Sequence, residues 1–169
     1  MQTSSGKNRV LALLLVAFAV PDISRAADPD MHEVARELGA VLAWRLGPES
    51  VEEQCRSADP AGVAIRKKAL KDWLDKNAPL IKDVDDRVAE VVPLAYPSAS
   101  NVDNTPRVRA KIKEILLEEI FSGKTAEEAT AICKAEANPA SPRWNNSGMP
   151  QVPMSLASLY DWKTSLGAK

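Results

Sequence analysis

Histidine is nearly missing from this chain, which carries one, His32, in 169 residues. A single histidine allows no His-x-x-x-His metal pair and no His/Cys zinc cluster. A serine–histidine hydrolase would have to use His32, and no Gly-x-Ser-x-Gly elbow exists to present the serine. His32 reads instead as a surface residue near a helix start. The two cysteines, Cys55 and Cys133, lack Cys-x-x-Cys spacing and form no haem attachment motif. The seven glycines are scattered, so there is no glycine-rich loop to cradle phosphate. A net charge of −1 is no basic surplus, which argues against nucleic-acid binding. Together these absences lead to the expectation of no cofactor, no metal and no catalytic triad.

Long apolar runs are missing too. The one extended stretch, Val10 to Val20, has eleven residues and spans roughly 16 Å as a helix, about half a bilayer core. It follows Lys7 and Arg9 and precedes Pro21 and Ser24-Arg25-Ala26, an arrangement that reads as a signal peptide cleaved after Ala26. The expectation is a periplasmic or secreted protein with no transmembrane anchor after cleavage. Residues 1–26 carry +2 (Lys7, Arg9 and Arg25 against Asp22), so residues 27–169 would carry −3. Those 143 residues form one domain of ordinary size.

Two cysteines in an exported chain read as a disulfide. Helix signals recur from Asp28 nearly to the end, and strand signals do not. Asp28-Pro29 is a cap with proline at the first helical position. Met31, Val34, Leu38, Leu42 and Leu46 follow at helical spacing until Gly47-Pro48, which reads as a stop. Ser50 with Glu53 then reads as a capping box opening a short helix that carries Cys55. Asp59-Pro60 starts another helix, through Ile65, Ala69, Leu70, Trp73 and Leu74. Pro79 ends or kinks it, and Leu80, Val84, Val88, Val91 and Val92 carry the pattern onward. After the polar run Ser98 to Asn104, Thr105-Pro106 caps a helix ending at Gly123. Thr125 with Glu128 is a second capping box, opening the helix of Cys133.

Pro139 to Pro153 holds four prolines and reads as a strap, followed by a terminal helix over 154–167. The fold expected is all-α: a compact bundle of five to six short-to-medium helices with a proline-rich strap, a C-terminal helix and one disulfide, in a single domain over 27–169. Its core would draw on Leu38, Leu42, Leu70, Trp73, Leu74, Val84, Val88, Ile112, Leu116 and Ile132.

The residues left for function are aromatic, basic and acidic. Trp144, Tyr160 and Trp162 cluster late in the chain, and Trp and Tyr serve well at partner contacts. The competing account docks them into the helical core, with Trp144 anchoring the strap. Arg66, Lys67 and Lys71 form a basic group that could meet an acidic partner. Asp83, Asp86 and Glu90 share a helix face, with Asp85 beside them. Paired carboxylates could hydrolyse a glycan, but interleaved Lys82 and Arg87 read as a solvated face. Asn145-Asn146-Ser147 matches a glycosylation acceptor. The leading expectation is a non-enzymatic envelope protein that binds another exported or envelope protein, as an inhibitor, immunity protein or chaperone. A small-ligand or lipid carrier with an inter-helix pocket is the alternative, and a carboxylate-dependent glycan hydrolase comes third.

Overall fold

The computed structural model describes residues 29–97, 103–138, 141, 143–144 and 151–167. The expected leader, most of the strap and the Asn145-Asn146-Ser147 acceptor lie outside the described residues. Five α-helices and one 3-10 turn account for the described secondary structure, with no strand among them. They are α1 (Pro29–Ala58), the turn Pro60–Gly62, α2 (Val63–Ala95), α3 (Thr105–Phe121), α4 (Ala126–Glu136) and α5 (Gln151–Gly167). The all-α expectation holds, with one disulfide joining Cys55 to Cys133 across Cα atoms 5.3 Å apart.

Two helices are longer than their local signals foretell. α1 runs straight through Gly47-Pro48, so neither the stop nor the capping box at Ser50 is realised. Ser50 Oγ instead donates to the Leu46 carbonyl one turn back, at 2.7 Å. Glu52 is buried and accepts three bonds of 2.6–3.1 Å from the Arg56 guanidinium. A mid-helix proline costs roughly 3 kcal/mol. Val41 and Leu42 before it and Val51 and Cys55 after it are fully buried on the same helix, and that burial outweighs the penalty. α2 likewise contains Pro79 and Pro93 without ending at either. Both prolines are exposed, so water can reach the carbonyls they leave without a donor.

The caps are mixed. Thr125 and Glu128 do form a capping box, with Thr125 Oγ1 accepting from the Glu128 amide at 3.2 Å and Glu128 Oε2 from the Thr125 amide at 2.8 Å. Thr105 is not a cap: it is the first residue of α3, and its amide donates to Asp103 Oδ1 at 2.8 Å. Asn104 then ties the loop shut by donating its side-chain amide to the Tyr96 carbonyl at 2.8 Å. Gly123 takes φ +72°, a left-handed conformation that suits glycine just past the end of α3. α5 begins at Gln151, three residues earlier than the expected 154, because Pro153 fits the first turn of a helix, where its missing N–H is not needed.

The turn at residues 59–62 sends α2 back along α1. α1 is the central element, packing against α2, α3, α4 and α5. The main core joins Val34, Leu38, Val41 and Leu42 of α1 with Val84, Val88, Val91 and Val92 of α2, Ile112 of α3, and Val152, Leu156 and Leu159 of α5. A smaller cluster of Val51, Cys55 and Cys133, with Ala58, Ile120 and Phe121 against it, holds α4 to the far end of α1. Of the expected core, Leu38, Leu42, Trp73, Val84, Val88 and Ile112 are buried, while Leu70, Leu74, Leu116 and Ile132 are half-buried. Trp73 stacks obliquely on Trp44 with ring centres 5.0 Å apart. No helix among the described residues is long and apolar enough to cross a membrane.

Candidate functional site

α5 carries two stripes, each at i, i+4 and i+7. Val152, Leu156 and Leu159 face the core and are buried. Pro153, Ala157 and Tyr160 lie one position on and are exposed. The second stripe meets Leu80, Asp83 and Arg87 of α2, and with Leu156 at its floor they line a cleft of about 250 Å³. Glu90 of α2 meets Lys163 of α5 at 3.0 Å, ten residues beyond Leu80 and Pro153 respectively, so the two helices run parallel along the cleft.

Arg87 shapes one wall. Its guanidinium carbon sits 4.8 Å from the centre of the Tyr160 ring, a cation–π arrangement. Nη1 donates to Glu90 Oε2 at 2.7 Å, while Nε is buried without a hydrogen-bond partner. Tyr160 nonetheless remains 53 % exposed. Asp83 on the rim is exposed and takes no ion-pair partner of its own among the described residues. Its neighbour Lys82 is engaged by Asp86, which raises the lysine's pKa through a hydrogen bond and direct attraction. The cleft therefore combines an apolar floor, an aromatic flank and one carboxylate, Asp83, that forms no close ion pair among the described residues and attracts Lys82 more weakly than Asp86 does.

A second cleft, of about 50 Å³, lies between α1 and α5 at Glu33, Val34, Glu37, Ser158, Leu159 and Trp162. Neither cleft has the roughly 300–1,000 Å³ usual for a small-molecule site.

The structure separates the aromatic and basic residues singled out from the sequence. Tyr160 is on the surface. Trp144 is not: it is 6 % exposed, and its indole Nε1 donates to the Glu136 carbonyl at 2.8 Å. Ser141 Oγ reaches the Glu136 carboxylate at 2.8 Å and Arg143 Nε lies 3.1 Å from it, so this part of the strap is clasped to the end of α4. Trp162 is half-buried against the main core. Arg66 is excluded from any contact surface because it is 0 % exposed, drawn inside by a buried acid and backbone carbonyls. Lys67 and Lys71 are exposed, with Lys71 paired to Asp75. They lie nine (Lys71) and thirteen (Lys67) residues before Leu80, roughly 14 Å and 20 Å along α2 from the cleft.

Of the α2 carboxylates singled out from the sequence, Asp85, Asp86 and Glu90 are held by bases, while Asp83 has no ion-pair partner among the described residues. Asp85 accepts from Arg109 at 2.7 Å and Arg45 at 3.4 Å, and Glu90 is shared by Arg87 and Lys163. No group of three or more His, Cys, Asp and Glu residues among those described could hold a metal ion. His32 is exposed in the first turns of α1.

Leu80, Pro153 and Ala157 were not singled out from the sequence. The signal lay in the offset of Pro153, Ala157 and Tyr160 from the core stripe by one position, at the same helical spacing. Comparison with known proteins found no matching family model, no matching curated protein and no matching solved structure.

Proposed function

We propose that this chain is an exported, non-enzymatic binding protein whose α2–α5 cleft receives a segment of another exported or envelope protein. The observation that carries the reading is the exposed stripe of Pro153, Ala157 and Tyr160 over the apolar floor of Leu80 and Leu156. The segment recognised places an apolar side chain on that floor and a lysine or arginine against Asp83, whose carboxylate has no other ion-pair partner among the described residues. Tyr160 is the anchor of the contact, since tyrosine is enriched among the few residues that carry most of the binding energy at an interface, and Arg87 holds its ring in place. Export is supported by the leader-like residues 1–26 and by the Cys55–Cys133 bridge, which suits an oxidising compartment.

The test places a photo-crosslinking amino acid at Ala157, with Ala64 on the exposed face of α2 as the comparison position, in cells that make the protein. The expected result is one protein adduct from position 157, none from position 64, and loss of the adduct in Tyr160→Asp. Equal adducts from both positions, or none from 157, would overturn the reading.

A further inference from the structure

Arg66 is a buried cation with an unusual set of partners. It stands in the second turn of α2, fully enclosed. Nη2 donates to the Cys55 carbonyl at 3.1 Å and the Asp59 carbonyl at 2.7 Å. Nη1 donates to the Cys133 carbonyl at 3.1 Å and to Asp59 Oδ2 at 2.5 Å. One guanidinium thus grips the backbone of both disulfide cysteines from a third helix.

The arrangement solves an electrostatic problem. Cys55 stands three residues before the end of α1 and Cys133 three before the end of α4. Bridging them brings two helix C-termini together, each carrying about half a negative charge; the Cys55 and Cys133 carbonyls already accept the Asp59 and Ala137 amides and offer Arg66 their second lone pairs. A cation between the two ends converts that repulsion into attraction. Burying the cation is tolerable because Asp59 pairs with it, and the planar fork reaches several acceptors at once. Gly62 completes the pocket: a Cβ there would collide with Asp59 Oδ2 and Arg66 Nη1 and come within 3.1 Å of Ala137 Cβ. A separate bond, Thr130 Oγ1 to the Ala58 carbonyl at 3.1 Å, docks α4 on the same end of α1 without using either sulfur.

We propose that Arg66 is a positioning residue for the bridge. It holds Cys55 and Cys133 in register in the folded, reduced protein, so the native fold brings the thiols together and the bond locks what is already assembled. Oxidation by glutathione disulfide then balances simply. One cysteine thiolate attacks the disulfide and releases a glutathione thiol. The second thiolate displaces the other glutathione, leaving one protein disulfide and two glutathione thiols.

The experiment measures the equilibrium of the purified full chain with a glutathione redox buffer under native conditions, which gives the effective concentration of the two thiols for each other. Arg66→Met should lower it by roughly tenfold to a hundredfold, the factor carried by a hydrogen bond from a charged donor. Arg66→Lys, which keeps the charge but loses the fork, should also lower it, by a smaller factor. Val88→Ala, which weakens the main core away from the bridge, should leave it within about twofold of the parent while lowering resistance to urea. The proposal is overturned if Arg66→Met changes the effective concentration by less than about twofold, or if Val88→Ala lowers it as far. If reduced Arg66→Met loses its far-UV helicity, Arg66→Lys decides the matter by the same twofold criterion.

Discussion

Reducing the Cys55–Cys133 bridge without changing any residue is the most direct probe of what the bridge contributes. The covalent link closes a loop with a sequence separation of 78 residues. In the chain-entropy account a loop of that length removes enough freedom from the unfolded chain to stabilise the fold by about 4.5 kcal/mol at 25 °C. That is a large share of a typical total of roughly 5–15 kcal/mol. The native state should change little on reduction. Both sulfurs stay buried against Val51, Ala58, Ile120 and Phe121, and the larger core of α1, α2, α3 and α5 contains neither cysteine. The loss therefore comes almost wholly from a freer unfolded chain. Urea unfolding followed by far-UV circular dichroism, with and without a phosphine reductant, should show an unchanged folded spectrum and a drop of about 4–5 kcal/mol. It should also show a steeper denaturant slope, because the unlinked chain exposes more surface. In thermal melts the same loss corresponds to roughly 10–20 °C for a domain of this size. A drop below about 1 kcal/mol would refute the loop-entropy reasoning. Loss of helicity in native buffer would refute the independence of the main core from the bridge.

Two further predictions concern other parts of the molecule. Leu159→Ala removes a fully buried side chain where α5 meets α1 and α2, and should cost about 2–5 kcal/mol in urea unfolding; less than about 1 kcal/mol would mean that α5 is not held by its core stripe. Glu128 has its pKa lowered from 4.5, chiefly by the bond from the Thr125 amide, so its capping contribution is present above pH 4.5 and fades as pH falls through the lowered folded-state value. The gap in urea midpoint between the parent and Glu128→Gln should accordingly be open at pH 6 and narrow by pH 3, and a gap that widened on acidification would contradict the assignment.

What the sequence determined by itself is the part governed by near neighbours along the chain. Helical spacing without strand alternation gives the all-α class, and the Thr125–Glu128 box opens α4 as local hydrogen bonding requires. Gly123 ends α3 because it alone of the nearby residues tolerates a positive φ without strain. Two cysteines leave one pairing within the chain, and Cys55–Cys133 is the bridge found. Trp144, the only large anchor of the strap, is buried as its size and indole N–H demand.

Tertiary structure decided the rest. Gly47-Pro48 and Pro79 are genuine break signals, worth a few kcal/mol, but the apolar residues on either side bury against common neighbours and keep α1 and α2 continuous. Arg66 sits among Lys67, Lys68 and Lys71 in sequence and looks like one more surface cation. Only the meeting of the α1 and α4 ends, far apart in the chain, creates the acceptor cage that draws it inside. Tyr160 and Trp162 were indistinguishable as aromatics two residues apart. Two residues turn a helix through about 200°, so one ring meets solvent over the cleft while the other leans on the core. Which face points outward depends on where α1 and α2 lie, and that is set by packing between distant segments.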